Sequence, residues 1–481
     1  MSARSYKFAP LDHRAWLLGL SGVQCIVLAV GLGVSATLLR LPIPLPLAGA
    51  PLLAALGVAF TPVGGQHAYE LAATGVLYAR GRPAKAWLAP IPMFTRPAQD
   101  KKVPPPPTLA GVEIREVPRP EWAGQGVRGV AVVEAKDGHD TTVVLRARAA
   151  GFALSSRAEQ DRSLGAWGDV LAGFCTEASA VTRLVASEYA GPPDLAQARA
   201  WIDTNAGRAA PQVRADYDAL LDQLEPNASA HEVLVTLTVD RRREKTATSN
   251  SVLSEARRLI ERLDAAGITA VLLSPQELAA AVTTRMDPTR PIGRATSLVD
   301  APGLAPISPW PLAHRTTWDS VRTDGAVHRT WWIAEWPRLD VTAAWLDPLL
   351  SARAATRSVV LYFEPVRPSV SRRRIERDAT RLATDAEQRA NRGFRIGARH
   401  HRSRDAVEER EAELVAGYSE VGVVGLVVAT AVDSAALDAA ATQITQAAHA
   451  TGVELRQLDG RHDLALAAAL PLGRPIQEPR L

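Results

Sequence analysis

Two long uncharged stretches near the start of the chain set it apart from the mixed sequence that follows. Residues 15–39 carry no charge over 25 positions, and about 20 apolar residues are enough for a helix to cross the hydrocarbon core of a bilayer. Residues 41–63 are also uncharged but contain Pro42, Pro44, Pro46 and Pro51, the first three of which predict an extended turn before a shorter second helix over 47–63. The pattern predicts a transmembrane helical hairpin over residues 15–66. A re-entrant second segment and a cleaved signal peptide are the alternatives.

Basic residues around this hairpin predict its orientation. Arg4, Lys7 and Arg14 precede it, only Arg40 lies between the two helices, and several more basic residues follow. Because loops rich in Lys and Arg stay on the cytoplasmic side, both termini are expected there, with residues 1–14 as a cytoplasmic tail. The sequence thus predicts a multi-pass protein of the cell (inner) membrane, with the bilayer as a partner.

After a predicted juxtamembrane helix and Pro-rich linker (67–107), the apolar period switches repeatedly between 2 and 3.6 residues. This alternation is typical of strands interleaved with helices and predicts an α/β (α+β) body. Strands are predicted at Gly129–Ala135, Thr141–Ala147, Val181–Tyr189, Glu232–Val239 and Thr269–Leu273. Helices are predicted at Arg157–Cys175, Leu195–Leu224, Ser251–Ala266 and Pro275–Arg285.

The same series then begins again. Strands are predicted at Thr316–Arg322, Val327–Trp336, Ser358–Glu364, Glu420–Ala431 and Val453–Gln457, and helices at Thr342–Leu350, Ser369–Ala416 and Ser434–Thr451, with a last apolar segment at Leu464–Leu470. The repetition predicts two cytosolic α/β units, 108–285 and 313–481, joined by a linker over 286–312. The second unit carries a helical insertion over 369–416. Two unrelated α/β domains are the alternative to a tandem repeat.

Motifs that bind cofactors or carry catalysis are missing from the sequence. There is no Gly-Lys pair for a phosphate-binding loop, no His-Glu-x-x-His and no Gly-x-Ser-x-Gly. The two cysteines, Cys25 and Cys175, stand far apart and are interpreted as small buried residues. We therefore expect no enzyme activity, no cofactor and no metal. A net charge of +4 does not favour direct DNA binding.

The charged insertion is the one candidate binding surface. It is long and mixed in charge, and its few apolar positions leave it little core of its own, so it needs a partner to pack on it. The predicted partner-docking residues are Arg372, Arg373, Arg374, Ile375, Arg377, Leu382, Phe394 and Ile396. A solvated, self-paired helix is the alternative.

Several segments resemble a family of membrane proteins encoded at actinobacterial conjugation loci. They are Trp167–Glu177, Leu273–Leu278 with Arg285–Pro288, Ala334–Arg338, and Leu470–Gly473. The architecture also resembles a PrgI-like two-helix membrane segment joined to the N-terminal domain of a VirB/TraC-type secretion ATPase, with the motor domain absent. The resemblance implies that a separate secretion ATPase is the partner and that no catalytic residues are carried over.

These features lead to a first hypothesis of a non-enzymatic, membrane-anchored scaffold of a conjugative type IV-like secretion system, present as a homo-oligomer or in a multi-subunit complex. The second hypothesis is a type VII secretion membrane subunit of the EccE kind. The third is an unrecognised membrane-bound enzyme.

Overall fold

The computed structural model describes the chain except for residues 1–21, 43, 64–65, 81–85, 90–103, 124–128, 136–137, 150, 194, 206, 208–209, 225–227, 244–248, 291–308, 338, 353–355, 392–397 and 477–481. The helices are α1 (Gly22–Leu38), α2 (Leu45–Phe60), α3 (Ala68–Arg80), α4 (Arg157–Ala172), α5 (Ala196–Asn205), α6 (Pro211–Leu224), α7 (Ser249–Ala265), α8 (Pro275–Met286), α9 (Asp347–Leu350), α10 (Pro368–Asn391), α11 (Ala398–Val415), α12 (Ser434–Thr451) and α13 (His462–Ala469).

The strands are β1 (Pro62–Val63), β2 (Gln66–His67), β3 (Ala86–Leu88), β4 (Val112–Pro118), β5 (Gly129–Ala135), β6 (Asp140–Ala149), β7 (Val181–Gly191), β8 (Ala230–Asp240), β9 (Ile268–Leu272), β10 (Ala313–Thr316), β11 (Val321–Thr323), β12 (Ala326–Glu335), β13 (Thr356–Pro365), β14 (Val421–Ala431) and β15 (Glu454–Gln457). Short helical turns connect several of them. The mixture of helices and antiparallel strands confirms the predicted α/β (α+β) class.

One sheet runs through both predicted units. Among the described residues it has 13 strands, in the order β3-β10-β11-β12-β14-β13-β7-β8-β6-β5-β4, with β15 beside β12 and β9 beside β6. The two units meet where β13 pairs with β7, at Val360 opposite Ser187 and Phe363 opposite Leu184. The backbone hydrogen bonds are therefore continuous across the boundary between the units.

The connectivity on the two sides of this central pair is the same. On one side, β6 pairs with β8 along one edge. Along its other edge it pairs first with β5 and then with β9. On the other side, β12 pairs with β14 along one edge. Along its other edge it pairs first with β11 and then with β15. In each unit the chain segment that connects the two innermost strands contains a pair of helices. These are α5–α6 in the connection from β7 to β8, and α10–α11 in the connection from β13 to β14. The second pair was predicted as an insertion. That a duplication produced this equivalence stays a prediction.

Helices cover both faces of the sheet because residues alternate in direction along each strand. On one face, α4 and α7 bury Leu171 and Leu259 against Leu237 of β8, and α12 buries Ile444 against β12 and β14. On the other face, α8 and α13 lie over a second core layer that includes Leu278 and Leu466. The result is three layers, helix on sheet on helix.

Capping residues in the sequence fix where the key helices begin. Ser274 accepts a hydrogen bond from the backbone N–H of Glu277, whose carboxylate bonds back to the Ser274 backbone, and Pro275 follows as the first helical residue of α8. Ser156 and Glu159 form the same capping box at α4. These reciprocal bonds satisfy backbone donors that a helix start otherwise leaves without partners.

The ends of α8 and α13 cross from one unit to the other. The carbonyl of Met286, at the end of α8, accepts hydrogen bonds from Thr323 Oγ1 (2.6 Å) and His328 Nε2 (2.9 Å) of the second unit. The segment after α13 reaches from the second unit to the first, where the Gly473 carbonyl accepts a bond of 2.7 Å from Arg183 of β7. Each unit thus contributes a segment that packs on the other unit.

Replacing Gly473 by alanine is expected to destabilise the body. Gly473 has a φ of +68°, and a Cβ there would overlap the side chains of Thr142 and Thr238. The backbone strain and the overlap together should cost about 2 kcal/mol. Gly138→Ala is the matched control, because Gly138 has a φ of +70° and open space around it. Chemical unfolding of both variants measures the difference, and equal losses would contradict a close approach at Gly473.

Candidate interaction surfaces

The first two helices pack on each other and expose most of their remaining apolar side chains. Gln24 Nε2 donates to the carbonyl of Ala59 at 2.9 Å, and Ser35 Oγ accepts from the Leu52 backbone at 3.0 Å. Small residues allow this approach, since a Cβ at Gly31 would overlap Ala55. Large apolar side chains such as Leu45 and Leu53 remain 74% and 70% exposed.

The structure contradicts the transmembrane hairpin that the sequence predicts. In the part of the chain that the structure describes, no helix is both long enough and apolar enough to cross a membrane. This finding overturns the predicted hairpin over 15–66, and with it the multi-pass membrane localisation with both termini cytoplasmic. Residues 15–21 lie outside the described part.

We name α10 and α11 with their connection (368–415) the second arm. Its base is fastened to the body by two carboxylates. Glu177 accepts hydrogen bonds from the backbone (2.6 Å) and hydroxyl (3.0 Å) of Ser369, and these bonds hold its pKa below the usual value. Glu420 accepts a bond from Ser371 and lies 3.5 Å from Arg410 of α11. One carboxylate thus ties both helices of the arm to the start of β14.

Cys175 lies beside this base. It is 4% exposed, and its Sγ contacts the carbonyls of Leu171 and Glu420, each at 3.5 Å. Burial raises the pKa of this thiol, which lowers its reactivity. Cys175 is therefore the small buried residue that the sequence predicts, whereas Cys25 is only partly buried.

The predicted docking residues of the second arm fall into three groups. Arg372, Arg373, Arg374 and Arg377 are exposed on α10. Ile375 is 5% exposed and Leu382 is half-buried, so these side chains serve mainly the packing of the arm itself. Phe394 and Ile396 lie outside the described residues. Docking through this arm stays a prediction.

The sequence analysis missed a second exposed surface, on α5–α6. We name this helical pair (196–224) the first arm. On α6, Leu221 is 5% exposed, and the other residues are exposed. Val213, Tyr217, Leu220 and Leu224 recur every three or four residues and form a stripe along one side of the helix. That spacing was visible in the sequence, but periodicity alone does not distinguish a core-facing stripe from an exposed one.

A network of buried charges fastens α8 to the first unit. Arg285 of α8 is 3% exposed, contacts Glu232 of β8 at 2.8 Å and lies over the ring of Tyr189. Arg146 contacts both Glu232 and Glu277, each at 3.0 Å. Burial opposes ionisation of Glu232, but the two arginines outweigh it and hold its pKa below the usual value. Burial raises the pKa of Tyr189 to about 12.

A fully buried histidine marks the place where α8 reaches the second unit. His328 of β12 contacts Thr430 Oγ1 through Nδ1 (2.9 Å) and both Thr323 Oγ1 (2.7 Å) and the Met286 carbonyl through Nε2. Burial lowers its pKa to about 4, against the opposing effects of the Met286 carbonyl and Asp287. His328 is therefore neutral at neutral pH. Its contacts join the end of α8 to β12 and β14. No group of three or more potential metal ligands is found among the described residues.

Comparison with known families gives a match that includes the residues of this junction. A family model described as "Putative type VII ESX secretion system translocon, EccE" matches residues 230–333. The matched segment runs from β8 through α7, β9 and α8 into β12, so it includes Glu232, Arg285 and His328. It covers less than half of the chain and shows similarity to that family. The sequence matches no curated protein.

This match corrects the first functional hypothesis. It points to type VII secretion, so the type IV and conjugation assignment is wrong. The PrgI-like and VirB/TraC-type resemblance and the VirB/TraC-type ATPase partner are unsupported. The second hypothesis, of the EccE kind, is the one that the match supports.

Proposed function

We propose that this protein is a non-enzymatic subunit of a type VII secretion complex, in which the sheet acts as an assembly scaffold. The observation that carries the proposal is the EccE match over residues 230–333. A membrane translocation apparatus is built from several subunits, and the EccE description therefore implies a multi-subunit complex.

The contacts within the matched segment support a scaffolding role. Two of its buried polar contacts hold α8 between the two units: that of Arg285 with Glu232, and that of the Met286 carbonyl with His328. Buried pairs of this kind fix one arrangement of the elements they join. A fixed body with two arms held at its ends is suited to positioning other subunits, and the proposal includes no catalytic step or cofactor.

Deleting the gene in its native host is expected to abolish secretion of small WXG-type substrates, the proteins associated with type VII systems. Immunoblots of culture filtrate and cell lysate would measure the substrates, and a plasmid that encodes the full chain should restore secretion. A lysed-cell marker in the filtrate serves as the control for leakage. Unchanged secretion in a strain confirmed to lack the protein would contradict the proposal.

A further inference from the structure

The two ends of the sheet differ in the length of their outermost strands. β3 lies at one end and has only three residues, Ala86–Leu88. β4 lies at the other end and pairs with β5 over seven residues, from Val112 opposite Ala135 to Pro118 opposite Gly129, without a shift in register. A short edge strand offers little for another strand to pair with, whereas a long regular one is a template for pairing. The β4 edge is therefore the end of the sheet that a further strand can extend.

The outer side of β4 presents backbone groups that the described residues leave open. Within the described part of the chain, β5 pairs with one side of β4 and no strand pairs with the other. None of these residues forms a hydrogen bond with the outward N–H and C=O groups of 112–118. In a regular antiparallel strand, about half of the backbone groups point away from the neighbouring strand. The outer side of β4 can thus bind one more strand through its main chain.

The charges along this edge alternate in sign. The guanidinium of Arg115 contacts the carboxylate of Glu113 at 3.2 Å, so the two side chains lie on the same face of β4. Arg115 also contacts Glu134 of β5 on that face. The side chains of Arg115 and Glu113 are 55% and 64% exposed, so their pair contributes little to the stability of one copy. Charges on an edge normally keep other strands away, but they do so only where like charges come opposite each other.

Antiparallel pairing of β4 with a second β4 brings opposite charges together in one register. When the twofold axis passes beside Ile114, Glu113 of each copy lies opposite Arg115 of the other, and such cross-strand pairs attract. Ile114 is half-buried on the other face and lies opposite its own equivalent, which adds an apolar contact. An axis at Glu113 or at Arg115 would instead place two like charges opposite each other. The charges therefore select the register centred on Ile114.

We propose that two copies of the chain associate through β4, as antiparallel strands related by a twofold axis at Ile114. The main-chain hydrogen bonds of the sheet continue from one copy into the other, and Glu113 pairs with Arg115 of the second copy at both ends of the contact. Because both copies use the same strand, the contact closes on itself and stops at a dimer. This dimer is a property of the purified chain and does not depend on the proposed secretion function.

Exchange of the two charges tests this contact. Sedimentation velocity of the full chain over a range of concentrations measures the dimer. Arg115→Glu should weaken it at least roughly tenfold, because each copy then places two negative charges opposite those of the other. Glu113→Arg/Arg115→Glu restores the alternation and should dimerise as wild type does. Glu134 lies opposite position 113, so the exchange also keeps a basic side chain beside that carboxylate. Arg148→Glu reverses an exposed arginine elsewhere and should leave the dimer unchanged.

Cysteine cross-linking measures the register. Ile114→Cys should form a disulfide between copies under mild oxidation, because Cα atoms directly opposite in antiparallel strands are ~4.5–5.5 Å apart, which a disulfide can span. Glu116→Cys is the matched control, since in this register its two equivalents are four residues apart, at least roughly 13 Å. Both substitutions are made in a Cys25→Ser chain, because Cys25 is only partly buried.

Circular dichroism on every variant verifies the fold. A wild-type chain that stays monomeric at the highest concentrations would overturn the proposal and leave the β4 edge to a strand of another protein. So would an Arg115→Glu protein that dimerises as wild type does, or a charge exchange that fails to restore the dimer. Cross-linking at position 116 in place of 114 would contradict the register.

Discussion

Replacing Glu232 by alanine is expected to lower the free energy of unfolding by about 3 kcal/mol, because removing one member of a buried ion pair leaves the other charge without compensation. Arg285 is the charge left behind, at 3% exposure. Arg146 loses one of its two carboxylate partners but keeps Glu277 at 3.0 Å. Chemical denaturation of wild type and variant measures the loss.

Two further variants test whether this loss of stability comes from the buried ion pair. Glu261→Ala breaks an exposed pair with Arg257, whose side chains are 60% and 56% exposed, and should cost at most about 0.5 kcal/mol. Adding Arg285→Met to Glu232→Ala removes the uncompensated charge and should recover part of the lost stability. If Glu232→Ala and Glu261→Ala destabilise the protein equally, Arg285 is hydrated and the pair does not fasten α8.

The stability of the body is also expected to fall as the pH drops below about 6.5. The pKa of His328 is lowered from 6.5 to about 4 in the folded state, whereas in the unfolded chain it keeps its ordinary value. Between these two values the unfolded state binds a proton that the folded state does not, so acid favours unfolding. The stabilisation is complete above about pH 6.5 and is lost progressively down to about pH 4, by roughly 3 kcal/mol in all.

Urea unfolding at several pH values between 7 and 4 measures this dependence. His328→Gln should lower stability at neutral pH, because it disturbs the bonds to Thr323 and Thr430, and it should also flatten the pH dependence. His449→Gln is the matched control, since His449 is exposed near the end of α12. A His328→Gln protein with the slope of wild type would show that other groups carry the acid sensitivity.

Local patterns in the sequence were enough to predict most strands and helices. The strand predicted at Gly129–Ala135 is β5, and the helix predicted at Pro275–Arg285 is α8, which ends one residue later at Met286. The helix predicted at Thr342–Leu350 is reduced to α9, four residues that begin just before Pro348. Likewise, the predicted strand Thr316–Arg322 is interrupted by a turn over 317–320, which separates β10 from β11. Short segments of this kind depend on their neighbours more than on their own pattern.

Contacts between distant residues could not be predicted from one sequence. Arg285 and Glu232 are 53 positions apart, and His328 and Thr430 are 102 apart. Nothing local marks either pair, because their pairing depends on how the strands are ordered in the sheet. The same holds for the stripe on α6, whose exposure follows from the position of the first arm outside the body. The predicted docking arm was recognisable because its charges are contiguous in the sequence.

The crossing of α8 and α13 between the units has a consequence for how the body folds. The Met286 carbonyl that accepts bonds from Thr323 and His328 comes from the first unit. The Gly473 carbonyl that accepts a bond from Arg183 lies 290 residues after that arginine in the chain. Neither half of the sheet has its full set of buried partners until the other is in place. Contacts between residues so far apart form slowly, because long loops must close before the contacts compensate for the lost entropy. The two units therefore make up one cooperative folding unit, which matures only after the residues that follow α13 have been synthesised.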